Sequence, residues 1–216
     1  MEFKICGVTR HEDIQACENV GSAFIGFINI KRSKRFLDIE QVRKLIGSMK
    51  NSEKAVLVIE PETAEKAINA VEESGIENIQ LHSLQTEDIT KLKGINVIKV
   101  IGIPKKIDAH KKEEIEEFAK VCKYLLFDSM IRGKSGGTGK QIPLEVAAEA
   151  AEIAKKSNGN IKLFLAGGIN TERIKNEGKL IKDIFDYVDV NSGVEYSPGI
   201  KNKVKIMEFV ENCKVI

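Results

Sequence analysis

The sequence predicts an α/β protein in which eight strand–helix units close into a single (β/α)8 barrel over residues 1–216, and three observations point there. Apolar runs of strand length recur eight times. Amphipathic helical stretches separate them. The turn after the first run, Cys6-Gly7-Val8-Thr9, lacks the GxGxxG spacing of an open dinucleotide-binding sheet, which would also need fewer strands.

Taken in order, the first run is Phe3 to Cys6, and Thr9 or Asp13 serves near the start of the helix that follows. The second run is Ala23 to Phe27 and the third Lys54 to Ile59. Pro61 then opens a helix over Glu62 to Glu73, where Ala64, Ala67, Ile68 and Val71 form one apolar stripe that faces a sheet. Gly75 sits just past its end, as a left-handed cap requires. Asn78 to Leu81, Val97 to Ile101 and Tyr124 to Phe127 are the next three runs. Ser129 to Ile142 is the longest irregular segment, and Arg132-Gly133-Lys134-Ser135-Gly136-Gly137-Thr138-Gly139 makes it either a mobile lid or a permissive surface connection. Lys162 to Ala166 and Tyr187 to Val190 complete the set.

Composition bounds the partners. The chain has 216 residues, 42% hydrophobic and 31% charged, enough for a sizeable core. Lys and Arg total 34 against 32 Asp and Glu, a net of +2, which gives no reason to expect a nucleic-acid partner. Cys6, Cys17, Cys122 and Cys213 form no CxxC pair and no metal cluster with His11, His82 and His110, so no metal is expected. With no apolar signal core and no run of about 18 apolar residues, we expect a cytoplasmic protein with reduced thiols and no membrane partner.

In a barrel of this kind strand ends converge on one face, so residues about 120 positions apart in sequence can flank one substrate. Cys6 ends the first run and Asp128 the sixth, a thiol opposite a carboxyl group, which points to acid–base chemistry. Cys6 is otherwise a buried core filler, and Asp128 otherwise caps the next segment. A base role asks for a thiol pKa lowered from about 8.5, and an acid role for a carboxyl kept partly protonated by burial. The other three cysteines sit in helix or helix-to-strand patterns and read as packing.

Two glycine-rich strand ends, Ala166-Gly167-Gly168-Ile169-Asn170 and Asn191-Ser192-Gly193-Val194-Glu195, follow the seventh and eighth runs. That is where such barrels bind phosphate, because glycine lets backbone N–H groups approach an anion. Arg32-Ser33-Lys34-Arg35 is either a solvated basic loop or a carboxylate site, for which the planar guanidinium of Arg35 is better suited than Lys34. His82 is an active-site wall or a satisfied structural histidine.

In sequence order, Lys4-Ile5-Cys6-Gly7-Val8-Thr9, Gly26-Phe27 with Ser33-Lys34-Arg35, Gln80-Leu81-His82, Phe127-Asp128-Ser129, Gly136-Gly137-Thr138-Gly139, Leu165-Ala166-Gly167-Gly168-Ile169 and Val188-Asp189-Val190-Asn191-Ser192-Gly193-Val194-Glu195 resemble the phosphoribosylanthranilate isomerases. The resemblance spans almost the whole chain. It implies a TIM barrel that carries out a cofactor-independent Amadori rearrangement in tryptophan biosynthesis. The small phosphorylated anthranilate-sugar N-(5-phosphoribosyl)anthranilate would become 1-(2-carboxyphenylamino)-1-deoxyribulose 5-phosphate.

By resemblance, Asp128 protonates the furanose ring oxygen and Cys6 removes the sugar C2 proton. Arg35 engages the anthranilate carboxylate, His82, Gly136 and Gly137 complete the substrate contacts, and Gly167, Gly168, Ser192 and Gly193 hold the phosphate. The sequence departs from the family pattern at Asn29-Ile30, Ser83, Gln141-Ile142-Pro143-Leu144, Asn191 and Asn202. Those departures leave two rivals: an isomerase of a related aminoaldose phosphate, and a non-catalytic phosphosugar-binding protein. Monomer and homodimer are equally compatible with the sequence.

Overall fold

The computed structural model describes residues 1–131, 134–135 and 141–216. Its barrel strands are β1 (Glu2–Cys6), β2 (Phe24–Ile28), β3 (Ala55–Ile59), β4 (Asn78–Leu81), β5 (Asn96–Ile103), β6 (Tyr124–Ile131), β7 (Lys162–Leu165) and β8 (Tyr187–Val190). Helices α1 (His11–Asn19), α2 (Ile39–Ile46), α3 (Ala64–Ser74), α4 (Thr86–Ile89), α5 (Ala109–Val121), α6 (Leu144–Ser157), α7 (Thr171–Ile184) and α8 (Lys203–Val215) alternate with them. Each strand pairs in parallel with its neighbours in sequence, and β8 pairs back onto β1, so the sheet closes as a TIM barrel. The last two residues of β6, Met130 and Ile131, pair antiparallel with Ser135 and Lys134.

The alternation of side chains along each strand divides the apolar residues into two layers. Outward residues such as Leu57, Ile79, Leu125 and Phe127 pack under the helices in one continuous core. Inward residues Val56, Ile98, Val100, Leu126, Phe164 and Ala166 fill the lumen. At the strand starts Phe24, Tyr124, Phe164 and Tyr187 plug the barrel, with the Phe164 and Tyr187 rings stacked at 4.3 Å. Burying each such ring contributes about 1.5–3 kcal/mol. The plug seals one end and leaves the strand C-termini as the open face.

Helix ends follow local chemistry with some differences from expectation. Asp38, Thr63, Asp108, Asn170 and Asn202 accept backbone N–H bonds at the starts of α2, α3, α5, α7 and α8. Thr63, rather than Pro61, opens α3, because its hydroxyl satisfies Lys66 N while Pro61 lies before the cap. Gly75 ends that helix at φ 73°, as read from the sequence. Neither Thr9 nor Asp13 caps α1. Thr9 donates to Gly199 O at 2.5 Å, and Asp13 is buried against Arg10 and accepts from Lys201 N. Asp128 also lies within β6 rather than at its end, since β6 stays paired with β5 through Gly102–Asp128 and Ile103–Ser129.

Candidate active site

The strand C-termini surround a cavity of about 400 Å³. Cys6, Asp128 and Asp189 reach it from β1, β6 and β8, Gln80 and His82 from the end of β4, and Arg35 from the β2–α2 loop. Their sequence separations are large, and only barrel closure brings them together. Gly136 and Gly137 lie outside the described residues.

Asp128 faces the lumen beside Leu126, two residues earlier on the same strand face. Burial pushes its carboxyl up to about 6, against the opposing pull of the Ser129 N–H, which donates to Oδ1 at 2.7 Å. Asp189 adds to the rise and Lys4 opposes it. The site therefore holds a carboxyl group that is still partly protonated near neutral pH.

Cys6 is buried on the same inward face of β1 as Lys4. Opposite it, Gly26 leaves the space: a Cβ there would fall 2.9 Å from Cys6 Sγ and 3.2 Å from Lys4 Nζ. The thiol does not show the lowered pKa that a partly ionised base requires. Burial pushes it up, and the nearby Lys4 ammonium only partly offsets that. Lys4 is wholly enclosed, with Nζ 2.9 Å from Asp189 Oδ1. Burial disfavours its charge, but Asp189 and Cys6 outweigh burial and hold the ammonium above its ordinary value.

Arg35 is not a free fork. Its Nε and Nη2 donate to Glu195 Oε1 and Oε2 at 2.7 and 2.5 Å. Buried Lys201 also donates to Glu195 Oε1, and to Asn191 O and Oδ1, each at 3.0 Å. Burial alone would raise Glu195, yet the Arg35 hydrogen bonds and Lys201 hold its carboxyl below the usual range. One guanidinium edge is thus fixed to the protein, leaving the Nη1 side for a ligand.

The two glycine loops meet. Gly167 and Gly168 have φ of 78° and 63°, conformations that favour glycine, and both line the cavity together with Ser192. Gly193 is packed behind them: a Cβ there would lie 2.2 Å from Ile169 O. The sequence departures are structural in part. Asn191 receives Lys201, Asn202 caps α8, Asn29 donates to Leu37 O at 2.7 Å, and Ser83 donates to Pro61 O at 2.5 Å. Pro143 sits at the start of α6.

His82 lines the cavity. Burial first, then Lys4, Arg32 and Lys99, pushes its imidazole down to about 4. Cys17, Cys122 and Cys213 are buried packing groups, each pushed up to about 12 by burial. Among the described residues no group of three or more His, Cys, Asp or Glu side chains is arranged to hold a metal ion, and no helix is long and apolar enough to cross a membrane.

Sequence reasoning missed Lys4, Asp189, Lys201 and the anchoring role of Glu195. Two of them carried a signal. Lys4 and Asp189 are charged residues on the inward register of strands that are otherwise apolar, which in a closed barrel demands a partner.

Comparison with known proteins places the chain in a family. The family described as N-(5'-phosphoribosyl)anthranilate (PRA) isomerase matches residues 3–212. An N-(5'-phosphoribosyl)anthranilate isomerase of Methanothermobacter marburgensis is 33% identical, the match covering 98% of this chain and 95% of that one. The crystal structure of phosphoribosyl anthranilate isomerase from Thermotoga maritima superposes with a TM-score of 0.82 at 25% identity, covering 100% of both chains. A crystal structure of such an enzyme with reduced 1-(o-carboxyphenylamino)-1-deoxyribulose 5-phosphate shares the fold at TM-score 0.79 and 24% identity, again over 100% of both chains.

Proposed function

The chain belongs to the N-(5'-phosphoribosyl)anthranilate isomerase family, and from that premise we propose the part each residue takes in the reaction. The protein is an isomerase of tryptophan biosynthesis. Its substrate is N-(5-phosphoribosyl)anthranilate, and its product 1-(2-carboxyphenylamino)-1-deoxyribulose 5-phosphate. The observation that carries the assignment is a single cavity onto which a thiol, a protonatable carboxyl, a guanidinium and a glycine loop all open.

Asp128 is the general acid. With its carboxyl at about 6, about one tenth carries the proton at pH 7, enough to supply an acid without holding it too tightly. That proton goes to the furanose ring oxygen as the C1–O bond breaks, and the anthranilate nitrogen lone pair forms the C1=N bond of a cationic Schiff base. Cys6, as thiolate, then takes the C2 proton. The C–H electron pair becomes the C1=C2 bond and the C=N pair returns to nitrogen. The resulting enolamine tautomerises to the aminoketose.

Arg35 holds the anthranilate carboxylate through its Nη1 side, while Glu195 and Lys201 keep the guanidinium plane fixed. Amides of Gly167, Gly168 and Ser192 hold the phosphate, with Gly193 setting the loop that carries them. His82 borders the substrate between these anchors. Fixing both ends converts an encounter into an intramolecular geometry, worth several kcal/mol.

The test follows the fluorescence loss as purified protein acts on freshly generated N-(5-phosphoribosyl)anthranilate. Turnover by the wild type is expected, with a fall of about 10²–10⁴ in kcat for Cys6→Ala and for Asp128→Asn. Normal turnover by either variant removes that residue from its role. Folded wild type without turnover removes the assignment as a whole.

A further inference from the structure

Arg173 carries a cation where a helix gains nothing from one. It lies in the first turn of α7, its backbone N–H donating to the cap residue Asn170 at 2.8 Å, and that end of a helix disfavours positive charge. The residue is nevertheless buried, and it does not line the cavity. Every nitrogen of its guanidinium is engaged. Nε donates to Glu177 Oε2 at 2.9 Å, Nη2 to Ile142 O at 2.8 Å and Nη1 to Gly167 O at 3.1 Å. Glu177 lies one turn on along the same helix, and Ile142 is part of the apolar core. Two of the three bonds therefore fix the guanidinium plane to the helix and the core. The third reaches the glycine loop after β7.

That third bond sets a direction. In a planar trans peptide the C=O and the N–H point opposite ways. With Gly167 O turned back to Arg173, the N–H of the same unit, which belongs to Gly168, is turned away from it. Both glycines line the cavity, and among the described residues no backbone oxygen accepts from Gly168 N–H. The local chain does little to keep this unit from turning over. It is flanked by glycines at φ 78° and 63°, and a peptide between two residues without Cβ meets little steric resistance to a flip. Turned over, it would present a carbonyl oxygen where it now presents an N–H, and an anion would be repelled. Gln141 bonds the next unit, Nε2 donating to Gly168 O at 3.2 Å, but from an exposed side chain.

We infer that Arg173 is a positioning residue for the phosphate site: it holds the Gly167–Gly168 peptide in the orientation that aims Gly168 N–H at the phosphate. Arg173 itself touches neither the substrate nor the reacting atoms. The inference rests on the proposed function, which puts the phosphate at this loop, and it adds what keeps the loop's donor turned outward.

Inorganic phosphate is the probe, titrated into protein isotopically labelled at glycine nitrogen and followed by NMR. Phosphate should move the Gly168 N–H signal downfield in wild type. Arg173→Met and Arg173→Lys should each bind it about tenfold more weakly, because a hydrogen bond to a charged group is lost. Methionine keeps the apolar stem. Lysine keeps the charge but has one nitrogen, which cannot hold Glu177, Ile142 and Gly167 in one plane. Signals of Gly21 and Gly75 at their wild-type positions show that a variant is folded, and either variant alone decides the matter. In turnover each should raise KM about tenfold with kcat within about threefold, whereas a smaller folded fraction would lower kcat at unchanged KM. Phosphate binding at wild-type strength in either variant overturns the inference, the lysine variant because charge alone would then suffice. A fall in kcat at unchanged KM overturns it too. Wild type that turns over substrate while Gly168 N–H stays still under phosphate removes the phosphate from this loop, and this inference with it, and leaves the isomerase assignment standing.

Discussion

Replacing Asp128 by Asn should stabilise this protein above pH 7 and leave it nearly unchanged at pH 4. Burial raises the carboxyl from 3.8 to about 6, so the folded chain binds this proton more tightly than the unfolded chain does. Between those two values the folded state holds more protons, and stability falls as pH rises through the window. Above about pH 6 the full penalty remains, because the folded state must keep an ionised carboxylate in a poorly solvated place. A shift of about two units is worth about 3 kcal/mol. The amide of the Asp128→Asn variant has no such ionisation, and its oxygen can take the place of Oδ1 as acceptor for the Ser129 N–H. Urea unfolding at pH 4 and pH 8 reads the difference. The variant should match wild type to about 0.5 kcal/mol at pH 4 and exceed it by about 3 kcal/mol at pH 8, with most of the change arising between about pH 4 and pH 6.5. A gap of the same size at both pH values would refute burial as the source of the shift. A variant less stable than wild type at pH 8 would refute it too.

Lys4→Met leaves Asp189 buried without its cation, a loss of about 3–5 kcal/mol when one partner of a buried pair is removed. Asp189 then takes up a proton more readily, so the destabilisation should grow as pH rises. Pairing Lys4→Met with Asp189→Asn should recover part of the loss in a double-mutant cycle measured by urea unfolding, and strictly additive losses would contradict a direct pair. Gly193→Ala places a Cβ 2.2 Å from the Ile169 carbonyl, backbone against backbone, with no flexible side chain to give way. It should cost about 1–3 kcal/mol in thermal unfolding and raise KM through displacement of the loop; a variant with both unchanged would show that the two loops are not in contact.

Much of the barrel was legible because parallel strands buried on both faces leave continuous apolar runs, as in Lys54 to Ile59, and such runs are hard to mistake. Strand ends were less legible. β5 and β6 extend past their apolar stretches because backbone pairing between Gly102 and Asp128 does not depend on apolar side chains. Cys6, Asp128 and Arg35 could be found because a strand end in this architecture is a positional signal. The electrostatics could not. Whether Cys6 is acidic or not depends on burial against the pull of Lys4, and Arg35 is half occupied by Glu195, 160 residues away. Those facts belong to closure of the barrel and have no local sequence counterpart.

The direction of both shifts orders the proposed steps. In the ligand-free cavity Asp128 and Cys6 are both raised, so both favour the proton. That state suits the acid at once and the base not yet. Proton donation from Asp128 opens the ring and leaves a cation at the C1=N bond, a positive charge newly introduced near a buried thiol. An opposite charge at close range favours the thiolate, and the same cation acidifies the C2–H bond that the thiolate attacks. A thiol held high by burial is also the stronger base once ionised. Lys4 contributes throughout, because its ammonium is fixed by Asp189 and needs no rearrangement when the charge on Cys6 changes. On the proposed roles, acid transfer therefore precedes base transfer, and the raised Cys6 thiol is consistent with a base that is idle until the ring has opened.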